Sequence, residues 1–80
     1  MDASFSTLVI SLGSSAIMAM GLAPDPQTQK AEKDLKMAQF NIDLLVVLRN
    51  KTKGNLNDEE TRLVDYVIHD LQLKFVEAEK

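Results

Sequence analysis

An all-α fold of three helices follows from three observations on this chain. Apolar residues recur at three- and four-residue intervals along three segments, and no stretch alternates as a strand would. Two breaks, "GLAPDPQTQ" at 21–29 and "KGNLNDEE" at 53–60, separate those segments. Both breaks carry helix stop and start residues in the right order. The expected helices cover about 4–20, 26–53 and 57–79, the last two forming a long antiparallel α-hairpin that the first helix joins.

The first helix is free of charge; no Asp, Glu, Lys or Arg lies between Asp2 and Asp25. On a helical wheel Phe5, Leu8, Val9, Leu12, Ala16, Ala19 and Met20 share one face. Thr7, Ser11, Ser14 and Met18 lie opposite, with Ile10 and Ile17 between. Gly21 is placed to close the helix in a left-handed conformation. Small residues at Ser11, Gly13, Ser14 and Ser15 allow another backbone to come close, and the serine hydroxyls can bond back to the preceding turn.

Asp25 followed by Pro26 is the start signal for the second helix, with Thr28 as an alternative cap. At 1.5 Å per residue such a helix would be about 40 Å long. It carries two apolar stripes. Ala31, Leu35, Ala38, Ile42, Leu45 and Val46 form one; Met37, Phe40, Leu44, Val47 and Leu48 form the other, with Gln39, Asn41 and Asp43 between. A surface helix needs one stripe, so two stripes predict a central helix packed on both sides. Lys51 and Lys53 suit the negative end of its dipole, and Gly54 suits its cap.

For the third helix, Asn57 and Glu60 have capping-box spacing, and Asp58 and Glu59 add first-turn negative charge. Leu63, Val64, Val67, Ile68, Leu71, Phe75 and Ala78 make its broad apolar face. Tyr66, Leu73 and Val76 make a thinner one, near Arg62 and His69.

Eighty residues allow one domain, 1–80. Cores this small usually need a staple. Cysteine is absent, which removes disulfides and thiolate metal sites and fits a reducing cytoplasm. Good helix packing, oligomerisation, or both remain. Net charge is −3, with nine basic residues interleaved among twelve acidic ones and no tryptophan, so neither a phosphate-binding patch nor a base-stacking platform is expected.

Three groups could carry chemistry. His69, with Asp65 and Asp70 nearby, could act as an acid or base, but the sequence supplies no nucleophile for it; a surface or interface histidine is the simpler reading. Asp58-Glu59-Glu60 lack the spaced ligands and turning glycine of a calcium loop, and capping accounts for all three. "KTKGN" at 51–55 puts its glycine after the lysines and ends a helix, the reverse of a phosphate loop. No catalytic residue, metal or cofactor is expected. As a signal peptide the uncharged front lacks a basic leader region, and as a spanning helix it is diluted by polar residues. Interfacial membrane helices usually carry lysine or arginine, which this one lacks. Met18, Met20 and Met37 read first as core.

Three stretches, "FSTLVISLGSSA" at 5–16, "PDPQTQ" at 24–29 and "DLLVVLRNKTKGNLNDEETRLVDYVIHDLQLKFVEA" at 43–78, together resemble a bacterial family of short proteins, domain of unknown function family 1844. The "KTKGNL…EE" segment is the most specific part. Gln29 stands where the family often has glycine. The resemblance implies a stand-alone, cytoplasmic, bacterial helical protein, and brings no activity, catalytic residue or cofactor.

The expected function is therefore that of a non-enzymatic protein interaction module. Its first partner is itself, as a dimer or larger assembly; another protein partner is an alternative. Membrane-surface association through the first helix is the competing reading. The interface candidates are Phe5, Leu8, Leu12, Ser15, Met37, Phe40, Leu44, Tyr66 and Leu73.

Overall fold

A computed structural model describes residues 3–23 and 33–80, and the statements below concern those. It contains three α-helices: α1 (Phe5–Ala19), α2 (Leu35–Lys51) and α3 (Asp58–Glu79). The all-α class and the order of elements are as the sequence predicts.

Each end has a local cause. Ser4 caps α1, its Oγ accepting from the Thr7 amide at 3.1 Å. At the other end the Leu22 amide donates to the Ile17 carbonyl and the Gly21 amide to that of Met18. That is the paired bonding of a Schellman motif, and Gly21 has the positive φ, 78°, which the motif requires. In α3 both bonds of the predicted capping box form: the Glu60 amide donates to Asn57 Oδ1 at 2.8 Å, and the Asn57 amide to Glu60 Oε1 at 3.0 Å.

The second helix differs from its prediction at the start. Asp25, Pro26, Thr28 and Ala31 lie outside the described residues, but residues 33 and 34 are not helical. Lys33 forms a single antiparallel bridge with Met20, and the Asp34 amide donates to the Ala19 carbonyl at 2.6 Å. Asp34 is the cap; its carboxylate accepts from the Met37 amide at 3.1 Å. Bonded outward to α1, residues 33–34 cannot also belong to a helix. α2 has 17 residues and is about 26 Å long. It ends at Lys51, where Thr52 turns back, its Oγ1 donating to the Leu48 carbonyl at 2.7 Å. Gly54 follows the cap, its positive φ of 91° turning the chain toward α3.

The helices run up, down and up. α1 and α3 are parallel: Gly13 lies against Val67 and Leu71, and further along Leu22 lines a hollow with Leu73 and Ala78. α2 is antiparallel to both, joined to α1 by the Met20–Lys33 bridge and to α3 by the short hairpin link. Because α1 packs on α2 and α3 alike, α2 is one of three corners and not a central helix.

The core takes residues from each corner: Val9, Ala16 and Met20; Ala38, Ile42 and Leu45; Val64, Ile68 and Leu71. This bears out Ala38, Ile42, Leu45 and Val46 of the first apolar stripe of α2, and the broad face of α3. In α1 the buried line runs Val9, Gly13, Ala16, Met20. It is rotated away from Leu8, which is exposed, because Gly13 admits α3: a Cβ there would stand 3.1 Å from Val67 Cγ1. Asn41, read from the sequence as part of a polar strip, is buried, with its Nδ2 donating to the Met37 carbonyl at 3.1 Å.

Candidate interaction surface

Met37, Phe40, Leu44 and Val47 stand at intervals of three, four and three residues, the spacing that aligns side chains on one side of a helix. The core lies on another side, through Ala38, Ile42 and Leu45. Met37, Phe40 and Val47 are therefore about half exposed, at 49, 54 and 53%, while Leu44 is half-buried. Leu48, placed with them from the sequence, instead packs against the core.

The neighbouring edge of α1 belongs to the same surface. At about 100° per residue, Gly13 turns toward α3, and Leu8 and Ser15 fall on the opposite edge, toward α2. Likewise Arg49 of α2 turns toward α3, where it meets Asp65 at 3.5 Å, and Met37 and Leu44 fall on the edge toward α1. Leu8 is exposed and Ser15 half-buried. Phe5 and Leu12 are half-buried and rest on the core, so they border this surface and do not form it.

Tyr66 and Leu73 belong to a second surface, the outer side of α3, together with His69 and Val76. Their spacing is again three, four and three, and all four are exposed. Two residues the sequence did not single out extend it toward α1. Ile10 borders a shallow groove of about 160 Å³ with Tyr66, Val67 and Asp70, and Leu22 borders a hollow of about 250 Å³ with Leu73 and Lys74. Exposure of Ile10 depends on the rotation that Gly13 permits, which no pattern of apolar residues discloses.

A more polar cleft of about 350 Å³ opens at the hairpin end, lined by Arg49, Asn50, Lys53, Thr61 and Asp65 among others. Its arginine is already paired with Asp65, which lowers its value to an anion. His69 is exposed and lines none of these three hollows. The carboxylates expected beside it face cations: Asp65 meets Arg49, and Asp70 pairs with Lys74 one turn along. Among the described residues no group of three or more His, Asp or Glu side chains could hold a metal ion. None of their helices is long and apolar enough to cross a membrane. The apolar line of α1 is spent inside the bundle on α2 and α3.

No curated protein and no solved structure matches the chain. A family model does, the Domain of unknown function (DUF1844), over residues 2–77; the chain belongs to that family.

Proposed function

We propose that this member of a family of unknown function is a self-associating helical interaction module with no catalytic role of its own. The observation that carries the reading is the stripe Met37–Phe40–Leu44–Val47. Three large apolar side chains stand about half exposed there, in the a and d phase by which helices pair. Isolated exposed apolar residues need no explanation; a contiguous row of them marks a contact.

A second copy of the chain is the occupant the physics favours. The sequence has no cysteine; among the described residues the fully buried side chains are small to medium, with Phe5 and Phe75 only partly buried against them, and a chain of this length lies near the lower limit of independent stability. Pairing the stripe supplies the missing burial. Sedimentation equilibrium of the full chain from about 1 to 200 μM tests this. Mass should rise with concentration above one chain; a single monomer mass throughout refutes the reading.

A further inference from the structure

We propose that the outer side of α3 is the seat for the α2 stripe of a second copy, so that the chains join head to tail. The inference rests on the self-association reading and specifies which surface meets which.

Three observations select this pairing. The stripes match in spacing and length: Met37, Phe40, Leu44 and Val47 on α2, and Tyr66, His69, Leu73 and Val76 on α3, each spanning about 15 Å. Their charges are opposite. Leaving out Arg49 and Asp65, which pair within one chain, α2 carries Lys36 and Lys51 against Asp43, a net of +1, and α3 carries six carboxylates against Arg62 and Lys74, a net of −4. By net charge of the helices, pairing α2 with α2 or α3 with α3 brings like signs together, and the mixed pairing opposes unlike ones. Charge of this kind decides partner and register more than affinity. Finally, an antiparallel register that sets Met37 against Val76 also sets Phe40 against Leu73, Leu44 against His69 and Val47 against Tyr66. Lys36 then lies at the end of α3 that carries Glu77 and Glu79, while at the other end Lys51 falls opposite Arg62.

The α2 stripe turns toward the α1 side, and the α3 stripe faces outward from another corner. An interface between two different surfaces is heterologous, and each copy that joins leaves one free surface of each kind. Such an assembly grows into a ring or an open chain instead of stopping at two.

Two full-length variants test it, Phe40→Asp on one surface and Leu73→Asp on the other. Both sites are exposed, at 54 and 58%, and circular dichroism should show wild-type helix content in each. Each variant alone should sediment as a monomer, while the wild type forms species beyond the dimer. Mixed in equal amounts, the variants should form a 1:1 heterodimer that grows no further, because each supplies the surface the other lacks. His69→Leu should tighten assembly about tenfold, by burying an apolar side chain opposite Leu44. A Leu73→Asp variant that assembles like the wild type, or a mixture that stays monomeric, overturns the head-to-tail pairing and leaves self-association standing. A wild type that remains monomeric overturns both.

Discussion

Replacing Phe40 with alanine separates a contact residue from a core residue, because the two roles predict opposite signs for the monomer. A phenylalanine side chain can bury about 150–250 Å². Phe40 keeps 54% of its surface exposed in the single chain, so a partner could cover roughly 100 Å². At about 25 cal/mol per Å² that contributes ~2.5 kcal/mol, of which alanine would keep a small part. The loss of ~2 kcal/mol weakens association about 30-fold when each interface contains one Phe40. A two-fold α2 pairing would contain two, and the loss would reach several hundred-fold. The monomer should behave differently. Exposed substitutions shift stability by about 0.5 kcal/mol or less, and alanine is the better helix former by about that amount. Sedimentation equilibrium reads the first effect, and thermal unfolding of the dilute monomer reads the second. An unchanged association constant, or a dilute-monomer midpoint lowered by more than about 10 °C, would refute the reasoning, since the latter is the signature of a buried ring.

Three further outcomes test the fold. Leu45→Ala removes a fully buried side chain and should cost about 2–5 kcal/mol in urea unfolding. Asp34→Ala removes the carboxylate that caps α2 and should cost about 1 kcal/mol in the same measurement. Gly13→Ala gains about 1 kcal/mol of helix propensity but sets a methyl 3.1 Å from Val67 Cγ1; overpacking of that kind costs about 1–3 kcal/mol. The single variant should be less stable than wild type by denaturant midpoint. In a Val67→Ala background the same change should become stabilising, and equal effects in both backgrounds would count against the close approach.

The parts of this fold that are local in cause can be read from the sequence. Asn57 and Glu60 announce their reciprocal bonds by spacing alone, and Gly21 announces the end of α1 by being able to take a positive φ. Ala38, Ile42 and Leu45 follow from the 3.6-residue period. What escapes is tertiary. Asp25-Pro26 is a stronger start signal than Asp34, and nothing near Asp34 shows that Lys33 will bridge to Met20. Gly13 reads as one of several small residues that admit a neighbouring backbone, but nothing local shows that α3 is that neighbour and that Leu8 therefore faces out. The same limit applies to the surface: the α2 stripe is legible as apolar, but its exposure depends on where α1 settles. Ile10 and Leu22 join Tyr66 and Leu73 only once α1 and α3 run parallel.

The two ends of α1 are held very unequally. At its start a serine hydroxyl holds the first turn, with no charged residue in that turn. At its end the Schellman bonds and the bridge to residues 33–34 grip the chain from both sides. Local unfolding begins where backbone bonds are fewest, so α1 should peel from its serine end and stop at the clamp. Amide exchange should therefore be fastest near Leu8 and slowest near Met20. Each such opening would lift Phe5 and Leu12 off the core beside the α2 stripe, widening that surface for the moment it lasts.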